Sequence, residues 1–127
     1  MVDKIIYLEV EDGKFPMACT INTMEKIQNE YGSMGKWNDL VMKPKNGEPD
    51  IRALKFFFTA SINEGIDIEN KKLNKQREHI SADEAGRIIT EVGFSDAYKN
   101  MGTIISDSLP AETKGKNVKT TKSQMAQ

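Results

Sequence analysis

The stretch from Asp50 to Gly65, DIRALKFFFTASINEG, limits the fold more strongly than any other part of the chain. At about 100° per residue, its apolar side chains cover two sides of a helix. Asp50 is a good N-cap and Gly65 suits the C′ position, so the helix is predicted to begin and end there. One face carries Ile51, Leu54, Phe58, Ser61 and Ile62, and the apolar surface continues through Ala53, Phe56, Phe57 and Ala60.

Only a narrow strip of this helix is left for water, namely Arg52, Lys55, Thr59 and Asn63. A helix with so wide an apolar arc is expected to be covered on two sides. We expect the face with Leu54 and Phe58 to meet the protein's own core. For the Phe56 side, defined as Ala53, Phe56, Phe57 and Ala60, three alternatives stay open: self-association, a groove for a partner helix, and packing of an N-terminal hairpin.

Composition is typical of one globular domain, since 38 % of the 127 residues are hydrophobic and 29 % are charged. No apolar run approaches the roughly 20 residues that span a bilayer, and MVDKIIYLEVEDG meets charge too soon for a secretory signal. The sequence therefore predicts a cytoplasmic protein without a membrane segment. Cys19 and His79 are the only residues of their types, so we expect no disulfide and no zinc or redox site.

The C-terminal residues 110–127, PAETKGKNVKTTKSQMAQ, differ in charge from the rest of the chain. They hold four lysines and one glutamate, a charge of +3, and since the whole chain carries −1, residues 1–109 carry −4. Because they lack aromatic and most aliphatic side chains, these residues are predicted to form a disordered basic tail after a single domain at 1–109. Binding of RNA or DNA by the tail is an alternative to simple solvation.

The remaining segments predict a mainly α (α+β) fold with about four to five helices and a small N-terminal β-hairpin. The hairpin is expected from Lys4–Val10 and Phe15–Thr20, joined by EDGK, with Pro16 indicating an edge position. Four further helices and one surface loop are predicted. They are a helix at Asn22–Tyr31 capped by Asn22 with Glu25, a helix at Met34–Met42, a mobile loop at Ile66–His79, a helix from Ser81 with Glu84 to Gly93, and a last helix capped by Ser95 and ended by Pro110.

Inner faces follow from the same spacing. In the first helix they are Ile21, Met24, Ile27 and Tyr31, in the second Trp37, Leu40 and Val41, and in the fourth Ala85, Ile88, Ile89 and Val92. Trp37 is predicted to anchor the core between helices, with partner contact as the alternative.

Catalytic patterns are missing from the sequence. It contains no glycine-rich phosphate loop and no nucleophile beside a histidine motif, and its acidic residues lie at helix caps and polar positions. Glu64 and Asp67 lie close to Gly65, but they lack the further oxygen donors of an EF-hand loop. We expect a protein that is not an enzyme and has no catalytic residue, cofactor or bound metal.

Four segments carry a family resemblance: the short hairpin, CTINTMEKIQNEYG, FFFTASINEGIDIEN and HISADEAGRIITEVG. Over about Ile5 to Leu109 the chain resembles the small tail assembly chaperones of long-tailed bacteriophages and Gram-positive prophages. Their members share a Thr-led first helix ending in Glu-Tyr-Gly, a central apolar helix ending in Glu-Gly, and a later helix opened by a Leu/Ile-Ser/Thr cap.

This resemblance implies a mainly helical fold without catalysis. It also implies a role in the bacterial host cytoplasm, holding the tape measure protein and tail tube subunits until the tail is built, and absence from the mature particle. The Phe56 side and Trp37 are then the candidate partner-binding residues, facing an amphipathic helix of the tape measure protein. A small nucleic-acid-associated or regulatory phage protein and a minor structural virion protein are the alternatives.

Overall fold

The computed structural model describes residues 5–11, 13–43 and 48–108. Within them lie one antiparallel hairpin and five helices, so the predicted mainly α fold with a small N-terminal hairpin is confirmed. The elements are β1 (Ile6–Val10), β2 (Gly13–Met17), α1 (Ile21–Tyr31), α2 (Met34–Met42), α3 (Ile51–Leu73), α4 (Ala82–Val92) and α5 (Phe94–Ser108). The predicted tail at 110–127 lies outside the described residues.

The central helix α3 is longer than predicted. Its first turn is capped as expected, because the Asp50 carboxylate accepts a hydrogen bond from the Ala53 amide at 2.9 Å. The predicted stop at Gly65 is wrong, since the helix continues to Leu73 and ends at Asn74 in the left-handed conformation. Ile66 and Glu69 in the added turns are buried, so the prediction of a mobile loop over Ile66–His79 is wrong for its first half.

Gly65 allows a close approach of the hairpin to α3 instead of ending the helix. A Cβ atom at this position would lie 2.7 Å from the Pro16 carbonyl carbon and 2.8 Å from the Met17 nitrogen. The Ala18 amide also donates a hydrogen bond of 3.0 Å to the Ser61 carbonyl, one helical turn earlier. The hairpin therefore packs on the Ser61 and Gly65 edge of α3, backbone against backbone.

The hairpin is shorter than its prediction. Ile6 pairs with Met17 and Val10 pairs with Gly13, so the glycine of EDGK is the first residue of the return strand. Pro16 pairs with Tyr7 in a sheet of two strands, where each strand has one free edge, as its predicted edge position requires. Lys4 and Asp12 lie outside the described residues.

The N-terminal cap of α1 is Thr20, and the predicted cap at Asn22 is wrong. The Thr20 hydroxyl accepts from the Thr23 amide at 3.4 Å, and the Thr23 hydroxyl accepts from the Thr20 amide at 3.3 Å. Thr20 is additionally held by α3, because its hydroxyl donates to Glu64 at 2.6 Å. Helix α1 ends before Gly32 as predicted, but Ile21, placed on the inner face, is 72 % exposed.

The helices α2 and α4 agree with their predictions. α2 spans Met34–Met42, and the Ser81–Glu84 capping box opens α4, which ends before Gly93. The last helix, α5, begins at Phe94, so the predicted cap at Ser95 is wrong. Gly93, at φ 91°, separates α4 from α5, and its carbonyl accepts the first hydrogen bond of α5 from Ala97 at 2.9 Å.

The segment after α3 is fixed by two asparagine side chains of that helix. Asn70 donates to the Arg77 carbonyl at 2.9 Å and accepts from the Arg77 amide at 3.1 Å. Asn63 forms the same pair of bonds with Ile80, at 3.1 and 2.8 Å. Each side-chain amide thus provides the donor and the acceptor that a neighbouring strand would otherwise provide. Residues 75–80 run back along α3 to the start of α4.

A single hydrophobic core joins all seven elements, with α3 at its centre. α1 and α2 cover one side of α3, the hairpin covers a second, and α4 with α5 completes the core. Of the helices in the described ranges, none combines the length and the apolar character that crossing a membrane requires.

Candidate functional site

The residues predicted to bind a partner lie largely in the interior. Trp37 is 1 % exposed, its indole N–H donates to the Ala53 carbonyl at 3.0 Å, and its ring stacks on Phe57 at 5.1 Å between centroids. Helix α2 therefore covers this side of α3, as the prediction of Trp37 as a core anchor requires. The alternative of partner contact by Trp37 is not compatible with this burial.

The other residues of the Phe56 side are also covered by the same chain. Ala53, Phe57 and Ala60 are buried, and the half-buried ring of Phe56 meets Tyr31 of α1 edge-on at 5.5 Å. Helices α1 and α2 cover this side of α3. The hairpin, which was one of the predicted alternatives for this side, packs instead along Ser61 and Gly65. Three of the four residues on the Phe56 side are thus interior, and Phe56 keeps part of its side chain exposed.

A different apolar surface is open to solvent, where the C-terminal end of α2, the start of α3 and the junction of α4 with α5 meet. Three of the six large apolar side chains that are exposed in the described ranges line it: Met42 (52 %), Ile51 (46 %) and Phe94 (51 %). Two depressions of about 320 and 390 Å³ flank the Phe94 ring. We call them together the Phe94 groove; its lining residues are Val41, Met42, Pro49, Ile51, Leu54, Lys55, Asp83, Gly86, Arg87, Ile89, Thr90, Phe94 and Tyr98.

Local structure places Phe94 at the centre of this groove. Gly93 ends α4 with a positive φ, so α5 starts in a new direction with Phe94 as its first residue. One turn later, Tyr98 donates its hydroxyl hydrogen to the Val41 carbonyl at 3.2 Å, which fixes α5 against the end of α2. Burial raises the pKa of the Tyr98 phenol, which further favours the protonated form that donates this hydrogen bond.

The depression of about 320 Å³ has a charged wall. The aliphatic part of Lys55 lies across Gly86 of α4, whose absent Cβ would be 3.4 Å from the lysine Cε. The Lys55 ammonium is 3.9 Å from an oxygen of Asp83, and Arg87 follows Gly86 on the exposed side of α4. The groove therefore combines an apolar centre with a polar margin, which is the usual composition of a protein-binding surface.

Comparison with protein-family models, curated proteins and solved structures finds no match for this chain. Its site must be interpreted from geometry. In the described ranges, no group of three or more His, Cys, Asp or Glu side chains is arranged to hold a metal ion. His79 contacts Asp67 at 2.7 Å on the surface, and Cys19 is buried with its pKa raised to about 11, which keeps the thiol protonated.

The sequence pattern does not predict this groove. It places Ile51 on the core-facing side of α3, and Met42 and Phe94 belong to none of the inner faces that the spacing predicts. An available signal was position at a helix end, since Met42 is the last residue of α2, Ile51 the first of α3 and Phe94 the first of α5. A large apolar side chain there has helical neighbours on one side along the chain only, and the surrounding elements decide its exposure.

Proposed function

We propose that the protein is a non-enzymatic tail assembly chaperone, which binds the tape measure protein and tail tube subunits during tail assembly in the bacterial host cytoplasm and is not retained in the mature particle. The observation that supports it most directly is the Phe94 groove, where three large apolar side chains remain exposed together. The second support is the resemblance of the hairpin and helix segments to that family.

Such a groove accommodates an amphipathic helix better than it accommodates a partner with a flat surface. Helices dock with apolar side chains spaced at i, i+3, i+4 and i+7, and each anchor enters a depression on the receptor. The Phe94 groove offers two depressions that share one aromatic residue, Phe94, in their walls. A tape measure segment would place one anchor on each side of Phe94, while its own apolar stripe is shielded from aggregation.

Replacing Phe94 with Ser tests this proposal. Because Phe94 lies between both depressions, the F94S variant should stay folded by circular dichroism while it loses capture of co-expressed tape measure fragments. The loss expected for a central aromatic anchor is about 2 kcal/mol or more, or about thirtyfold in Kd. The readout is the soluble fraction of the fragment, followed by its affinity for the purified protein.

The matched control is Ile21→Ser, which removes a more exposed apolar side chain that does not line the groove. I21S should capture the fragments as well as the unmodified protein does. If folded F94S keeps the fragments soluble as well as I21S does, the groove is not the chaperone surface. If the unmodified protein does not bind tape measure fragments at all, the function itself is contradicted.

A further inference from the structure

The charge around the Phe94 groove is opposite in sign to that of the surrounding body. Residues 1–109 carry a formal charge of −4. The charged residues that line the groove are Lys55, Asp83 and Arg87, which sum to +1. The groove thus carries one net positive charge on an acidic body, and its positive groups lie beside the exposed apolar side chains.

The two cations have different surroundings. Lys55 is partly covered, with its side chain 33 % exposed and its ammonium 3.9 Å from Asp83. Asp83 is itself largely exposed, so this long contact contributes little energy and can be exchanged for another carboxylate. Arg87 is exposed and forms none of the ion pairs found among the described residues. Both cations are therefore available to an acidic ligand.

We infer that the Phe94 groove selects an amphipathic helix whose apolar stripe is bordered by acidic residues. This inference rests on the proposed function and specifies the chemistry of the bound segment. A carboxylate on the border of the partner helix would pair with Arg87, and another would share Lys55 with Asp83. Complementary charge beside an apolar contact mainly sets partner choice and association rate, so helices with basic borders should be rejected.

A second copy of this chain is a poor occupant for the same groove. A symmetric dimer that joined the grooves would bring Lys55, Asp83 and Arg87 of both copies together, so that four cations would share two carboxylates. The helix stripes that could enter a neighbour's groove are already used, because residues such as Ile27, Ile88 and Ile104 are buried in their own core. The occupant is accordingly a helix of a different protein.

Three synthetic peptides of about 18 residues, or five helical turns, test the inference. They share one apolar stripe and differ only in its border residues, which are Glu, Gln or Lys. Binding to the full-length protein is measured by fluorescence anisotropy at about 0.05 M and about 0.5 M salt. The Glu peptide should bind about tenfold more tightly than the Lys peptide at low salt, and this difference should shrink at high salt.

Variants locate the charge preference in the groove. Arg87→Glu should reverse the preference between the Glu and Lys peptides. Lys72→Glu makes the same charge change at an exposed site near the end of α3 and should leave the preference as it was. Circular dichroism on each variant verifies the fold.

Each other outcome has a defined meaning. Equal affinity for all three peptides, abolished by Phe94→Ser, would overturn the charge inference while the groove remains the docking site. Failure of all three to bind would overturn this inference and contradict helix docking in the proposed function. A dimer seen by sedimentation that excludes the peptides would identify a second copy as the occupant and would likewise overturn the inference.

Discussion

Cys19 shows how burial controls a single ionisable group. Its side chain is 2 % exposed in the segment between β2 and α1, and desolvation raises the thiol pKa from an ordinary value of 9.0 to about 11. The thiolate would have to form inside the core, away from water. Burial also raises the pKa values of Tyr31 and Tyr98, so several groups in the folded protein hold their protons more tightly than they do in the unfolded chain.

The consequence for stability follows from the sign of the Cys19 shift. Because the folded pKa exceeds the unfolded one, the full stability is present below pH 9 and declines as the pH rises from 9 towards 11. We expect Cys19 to account for a loss of about 2–3 kcal/mol in unfolding free energy over that range. Urea unfolding at several pH values measures it.

The Cys19→Ala variant is the control for this decline. Its stability at neutral pH will be lower because of the lost packing, but its decrease above pH 9 should be smaller by the same 2–3 kcal/mol, about two pKa units. The tyrosines contribute equally to both proteins. Identical pH profiles for the two would mean that the thiol is not desolvated in the folded state.

Between elements, the contact of β2 with α3 depends on the absence of a Cβ atom at Gly65. A Gly to Ala change inside a helix normally stabilises it by up to about 1 kcal/mol. At Gly65 the added Cβ would lie 2.7–2.8 Å from backbone atoms of Pro16 and Met17, which cannot rotate away. We therefore expect Gly65→Ala to destabilise the protein by about 1–3 kcal/mol, measured by denaturant unfolding.

Gly102 in α5 provides the matched position. Apart from the adjacent residues and the nearby backbone of α5 itself, no atom lies within 4 Å of the Cβ that an alanine would add there. Gly102→Ala should follow the propensity rule and raise the unfolding free energy by up to about 1 kcal/mol. An equal gain at both positions would show that the hairpin does not approach α3 at Gly65 as described.

At the scale of the whole molecule, the first half of the predicted mobile loop belongs to the core, and only residues 74–79 form an exposed connection. Even this connection is held by the Asn70 amide and by Arg77, whose guanidinium lies 4.5 Å from the centre of the Phe15 ring. Among cuts within residues 21–108, trypsin should therefore act after Lys75 or Arg77 before it acts after Lys71 or Lys72. Mass spectrometry of an early digest identifies the first cut.

Removing the Asn70 side chain should speed this cut. Two hydrogen bonds are lost, each contributing about 1 kcal/mol, so the open population of the segment should rise by about tenfold or more. Asn29→Ala, on an exposed position of α1, should leave the cleavage rate unchanged. A first cut at Lys71 or Lys72, or equal rates for both variants, would contradict the anchoring of the segment by Asn70.

Features that depend on near neighbours could be predicted from the sequence. Several of these features depend on residues within a few positions of one another. They are the Ser81–Glu84 capping box, the Asp50 cap, the helix ends at Gly32 and Gly93, and the limits of α2. The order of a hairpin and five helices followed from them. These features are set by short-range hydrogen bonds and side-chain spacing, which a single sequence records directly.

Contacts between distant segments could not be predicted in the same way, because they form only in the folded chain. Gly65 is a helix stop by its local context, but the backbone of Pro16 makes it a packing site inside α3. Phe57 is covered because Trp37 of another helix stacks on it, while Phe94 remains half exposed because its neighbours leave two depressions beside it. Burial depends on which surfaces meet in space, and residues far apart in the chain determine that meeting.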